Sequence, residues 1–230
     1  MVESIQYGKY RIEFELKYSN RKSVGVKILP NSSVVVIAPM AVSIEMIKEL
    51  LLKKASWIIK QKSFFLQFES TIFDYEVKSG YSVYYLGRQY RFIVEKSARE
   101  EISYKGNLFL VSTKSKDRAQ DLFLEWLKNK AVDKISEIAK PIIKKFSERF
   151  DAPNSIYFQD MSTRWGSCTV KNKLIFNPKL VHTPKRCIEY VVMHELCHIV
   201  HKHHDQNFFD LLTVMMPDWE RRKAKLDSFA

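Results

Sequence analysis

The chain has no run of about 18 apolar residues, so a transmembrane helix is excluded from the reading. The segment from Met1 to Tyr10 carries Glu3 and Lys9 and lacks the apolar stretch of a signal peptide. Cysteine is scarce. Cys168, Cys187 and Cys197 are an odd number without zinc-finger spacing, which argues against a disulfide framework. Unpaired thiols and no leader together predict a reduced, cytoplasmic location and no membrane partner. No internal repeat, low-complexity stretch or linker-like composition is visible.

What is present is a substantial apolar complement. At 230 residues and 46% hydrophobic, the chain can build one large core or two small ones. The net charge of +12 is divided evenly about Thr113, so it is not a basic tail. A spread positive excess favours approach to polyanions, and nucleic acid is therefore a candidate partner. Tyr10, Arg11, Tyr18, Arg21 and Lys22 are the aromatic and basic residues that would offer such contacts. Solubility alone also accounts for the charge.

Tyr10 to Tyr18 alternates apolar and polar residues without a slip, the period of a half-buried strand. Ser23–Leu29 and Ser33–Ile37 read as two further strands joined across Pro30-Asn31-Ser32, giving a small antiparallel sheet. Ser43 is set to cap a helix running to about Phe68, with Ile44, Ile47, Leu51, Trp57 and Ile58 on its buried side. Tyr81–Leu86 and Gln89–Val94 predict a hairpin over Gly87-Arg88. Ile102–Tyr104 and Leu108–Val111 predict another over Lys105-Gly106-Asn107. Lys114 to Phe150 reads as a long helix that Pro141 kinks or splits. Short strands follow at Ser155–Gln159 and Leu174–Phe176. Pro184 then opens a helix, and Asn207–Met216 and Asp218–Leu226 add two more. The pattern predicts an α+β fold. A β-rich N-terminal domain with a helix (1–113) precedes a helical domain with a small sheet beside its active helix (114–230).

Five of the six histidines fall between His194 and His204. His194-Glu195-Leu196-Cys197-His198 lies in a helical run, where positions i and i+4 share one face, so two imidazoles can bind one metal ion. Glu195, beside the first ligand, can take a proton from a water. A catalytic zinc usually has three protein ligands. His201 would sit on the same helix face but too close for easy geometry. His204, ten residues past His194, leaves the helix and can return. The metzincin pattern has the same spacing, but His201 stands where that pattern has glycine and no Met-turn is evident. His182 reads as a loop histidine, and Cys197 as a small buried residue. Cys168 as a catalytic thiol is a poor second, since no orienting partner is visible.

Arg164-Trp165-Gly166-Ser167-Cys168, Ile175 and Asn177, Tyr190 through His198, and His204 with Phe208 together resemble the YgjP-like predicted metal-dependent hydrolases, zincins related to the SprT-like metalloproteases. Arg21-Lys22-Ser23, Val34 to Pro39, Lys54 to Ile58 and Tyr85 to Tyr90 extend the resemblance over nearly the whole chain. It implies one Zn2+ held by His194, His198 and His204, with Glu195 as general base and a peptide or protein substrate. The family often has Asn-His where this chain has His203-His204, so His203 stays the alternative third ligand. The strand Leu174–Asn177 would pair with an extended peptide, placing Ile175 and Asn177 at the substrate. Arg164 and Trp165 would shape the same cleft, or else pack and satisfy carbonyls. The resulting expectation is a zinc metallopeptidase. A SprT-like role on DNA-bound proteins and a non-catalytic zinc-stabilised module are the alternatives. Substrate identity and oligomeric state are not readable from the sequence.

Overall fold

The computed structural model describes residues 2–8, 10–28, 33–64, 75–162 and 164–229, with the backbone alone over 60–64. The chain forms two compact units, residues 1–66 and 67–230.

In the first unit, Ile12, Phe14 and Leu16 of β2 (Tyr10–Tyr18) point inward, as their alternation predicts. β1 (Val2–Tyr7) joins this strand at the edge, in addition to the three strands expected. With β3 (Gly25–Ile28) and β4 (Val34–Ala38) the sheet runs in the order β1-β2-β4-β3. It is mixed rather than antiparallel, because β2 and β4 pair in parallel. The expected turn at Pro30-Asn31-Ser32 lies outside the described residues. The outward side chains of β2 include Arg11 beside Glu13 (3.5 Å) and Lys17 beside Glu15 (3.2 Å).

Ser43 caps α1 (Ile44–Lys53) by accepting from the Met46 N–H. The expected single helix breaks at Lys54 and resumes as α2 (Ala55–Phe64); positions 65–68 lie outside the described residues. Ile47, Leu51, Ala55 and Ile58 close the core of the unit. Trp57 is 44% exposed rather than buried. Ile58 takes the inward position, and one residue along a helix is a 100° turn away.

The second unit opens with β5 (Ser82–Tyr85), β6 (Arg88–Lys96), β7 (Glu101–Lys105) and β8 (Leu108–Thr113), in the order β5-β6-β8-β7. Here too the middle pair, β6 and β8, is parallel. This sheet packs on α3 (Ala119–Ser147) through an aromatic core. Phe123 meets Phe92 at 4.7 Å and Phe109 at 5.1 Å between ring centroids. The compact units therefore part at 66/67, not at the expected 113/114. The second hairpin pair shares its core with α3, and the Val77 N–H is held by the Gln120 side chain at 2.8 Å. α3 continues through Pro141, with Ile135, Ile138, Ala139 and Phe146 buried on both sides of it. Packing of that face outweighs the lost hydrogen bond.

The first hairpin of the sheet also fixes the start of the next helix. Its two-residue turn is Leu86–Gly87, both with positive φ, one residue earlier than the expected pair. The Leu86 N–H donates to the Val181 carbonyl (2.7 Å) and the Gly87 N–H to the His182 carbonyl (3.2 Å). A Cβ at Gly87 would lie 2.5 Å from Pro184 Cγ, so only glycine fits. Pro184 heads α4 (Lys185–Val200). Beside it lie β9 (Ser155–Phe158), β10 (Gly166–Cys168) and β11 (Lys173–Phe176), ordered β10-β11-β9. α5 (Gln206–Met215) and α6 (Trp219–Asp227) complete an α+β fold.

Candidate metal centre

α4 is an interior helix. Nearly every side chain from Cys187 to Cys197 is buried, so its polar members, His194 and Glu195, can be there only with partners. His194 and His198 come to one face by helical spacing. α4 ends at Val200, the chain turns, and Asp205 caps α5 by accepting from the Phe208 N–H at 3.0 Å. That turn returns His204 to the cluster, while His203 is exposed.

His204 Nε2 lies 2.9 Å from His194 Nε2 and 3.1 Å from His198 Nε2. One ligand nitrogen from each of the three lies within 4.8 Å of the others. Phe208 backs all three rings, at 4.6–5.0 Å between centroids. His198 Nδ1 is 3.0 Å from the His201 carbonyl, which can only accept. The proton therefore sits on Nδ1, and the Nε2 lone pair faces the cluster. Burial pushes His198 down to about 4 and His204 down to about 3, and holds His194 well below 6.5. A positive charge on any one ring is further disfavoured by its neighbours, chiefly the other imidazoles for His194 and His204 and Lys202 for His198, where the His201 carbonyl opposes the shift. All three are neutral at pH 7, the form that binds metals.

The donor set fits a divalent cation. Tetrahedral bonds of about 2.0–2.1 Å place ligand nitrogens about 3.3 Å apart, close to the observed spacing. Three converging imidazole nitrogens can share at most one proton between any two of them, which leaves lone pairs opposed unless a cation lies among them.

Glu195 is buried next to this cluster. Burial raises its carboxyl to about 8, opposed by the charge of Arg164 and by a hydrogen bond from the Cys168 N–H. β10 is pressed against it. A Cβ at Gly166 would lie 3.0 Å from Glu195 Cγ and 3.0 Å from Val191 Cγ1. The glycine of the Trp-Gly-Ser block thus makes room for the carboxylate. The sequence block alone assigns the glycine no such role; the close approach of Glu195 and Val191 does.

The other sequence candidates lie on the scaffold beside Glu195. Trp165 is buried. Asn177 is 0% exposed, and its amide donates to the carbonyls of Met161 (2.7 Å) and Arg164 (2.9 Å). It also accepts from the Lys179 N–H, so it ties down the loop that carries Arg164. Ile175 is half-buried on β11. That strand is paired on both sides, with β10 and β9, so the strand addition expected at Leu174–Asn177 has no open edge there. His182 is buried in a 3-10 turn rather than free in a loop. Its Nδ1 donates to the Tyr84 carbonyl at 2.6 Å.

The model of the YgjP-like metallopeptidase domain matches residues 22–229. The chain belongs to this family. It is thereby a metal-dependent peptidase in general class, with a metal ion and a protein substrate implied by membership. No curated protein and no solved structure gives a significant match. No helix among the described residues is long and apolar enough to cross a membrane.

Proposed function

We propose that this family member hydrolyses peptide bonds with one zinc ion held by His194, His198 and His204 and with Glu195 as general base. The convergence of three neutral imidazole nitrogens beside a buried carboxylate carries the reading. Zinc, favoured by an all-imidazole donor set, supplies Lewis acidity, polarising a carbonyl and lowering the pKa of water to about 7. Glu195 takes the proton of the attacking water on its carboxylate and passes it to the leaving amine. The same buried carboxyl serves as base and then as acid. The Cys168 N–H and the space above Gly166 aim that carboxylate.

The substrate edge belongs to β10 rather than β11. Asn177 N–H bonds to Trp165 O, and Thr169 N–H to Lys173 O. By antiparallel alternation, Gly166 and Cys168 turn their main-chain groups away from β11, toward the Glu195 side. An extended peptide adds along that edge through the main-chain groups other than the Cys168 N–H, which Glu195 already engages.

The test is cleavage of a quenched fluorescent peptide library by zinc-loaded protein. Glu195→Gln is expected to keep the zinc and lose turnover by a factor of at least about 100. Wild-type rates in that variant would sink the mechanism. Unfolding on chelation, with no cleavage by the loaded protein, would favour a structural zinc instead.

A further inference from the structure

We infer that Tyr190 is the positioning residue that orients His194 as a metal ligand, doing with a hydroxyl what the His201 carbonyl does for His198. The inference rests on the metal reading of the histidine cluster. For His194 to present its Nε2 lone pair to the cluster, its proton must sit on Nδ1. That N–H needs an acceptor within the protein, since His194 is buried. The Tyr190 hydroxyl lies 3.4 Å from Nδ1, one helical turn earlier on α4. It can accept there, and an ion on Nε2 makes the N–H more acidic and the bond stronger.

The tyrosine is itself held in place. It is fully buried, meets His194 edge-on with centroids 5.8 Å apart, and stacks on Trp219 of α6 at 6.4 Å and 15°. Trp219 in turn donates from Nε1 to Thr213 Oγ1 at 3.0 Å. α6 is tied back to α4 by Arg222, which pairs with Glu189 of α4 and with Asp218. The ring orientation of the first ligand is therefore set from the C-terminal helix, through one hydroxyl that lies outside the His-Glu-x-x-His spacing.

Tyr190→Phe removes the hydroxyl and keeps the ring. Zinc affinity is read by competition with a chromophoric chelator. The expected result is a loss of about 10–100-fold, an unchanged melting temperature without metal, and altered d–d bands in the cobalt(II) protein. Wild-type zinc affinity and cobalt bands in Tyr190→Phe overturn the inference. A wild-type protein that takes up no zinc overturns the metal reading and this inference with it. A second measurement does not depend on the variant folding. In zinc-loaded wild type, the 15N–1H correlation of the His194 ring should show a protected proton on Nδ1, and a proton in rapid exchange there overturns the assignment.

Discussion

The two four-stranded sheets of this chain share one topology and are closed by different side chains. Each is two antiparallel pairs joined by a parallel middle pair, ordered β1-β2-β4-β3 and β5-β6-β8-β7, and each is followed by a helix. The first is closed by aliphatic side chains, Ile47, Leu51 and Ile58, within its own unit. The second is closed by aromatic rings on α3, and its hairpin tip hydrogen-bonds to the carbonyls just before α4. What makes a sheet part of the catalytic unit is thus not strand order. It is the few main-chain contacts at Leu86 and Gly87 and the shared aromatic core.

The largest effect should come from that core. Phe123→Ala is expected to cost about 3–5 kcal/mol in denaturant unfolding and to weaken zinc retention, because α3 supports both the sheet and α4. Leu51→Ala in the first unit should cost about 2–5 kcal/mol there and leave zinc binding unchanged. If Leu51→Ala strips the metal as readily as Phe123→Ala, the division of labour is wrong. Gly87→Ala meets a positive φ and the Pro184 ring, and should cost about 2–4 kcal/mol. Protection of the Leu86 amide from hydrogen exchange should fall with it; a neutral substitution would show that the tip is not docked.

The smallest effect concerns pH. His182 anchors the Tyr84 carbonyl and is held down to about 4 by burial, against an ordinary value of 6.5. The unfolded chain therefore binds more protons between these values, and stability falls as pH drops from about 6.5 toward 4. By pH 5 the loss from this group is about 2 kcal/mol. The stability gap between wild type and His182→Gln should shrink by that amount between pH 7 and pH 5. A constant gap would show that His182 does not titrate on unfolding.

Local signals were legible in the sequence and long-range pairings were not. The alternation of Tyr10–Tyr18, the Ser43 cap and the i, i+4 histidines are fixed by neighbours in the chain, and each appears as read. His204 was legible because ten residues suffice to leave a helix and return. The parallel pairing of β2 with β4, and the matching topology of the two sheets, depend on partners far apart in sequence. The helix residues that close one sheet are aliphatic and those that close the other are aromatic, so no repeat shows. Asn177 reads as a polar residue on a strand; only the positions of the Met161 and Arg164 carbonyls reveal why it is buried. The placement of β11 in the middle of its sheet likewise follows from β9, which lies before the Trp-Gly-Ser block in the chain.

The most direct measurement is zinc content per chain after reconstitution, for wild type, His204→Ala, His203→Ala and Glu195→Gln. About one zinc per chain is predicted in wild type, His203→Ala and Glu195→Gln, with loss only in His204→Ala. Retention in His204→Ala together with loss in His203→Ala would contradict the proposed three-imidazole centre.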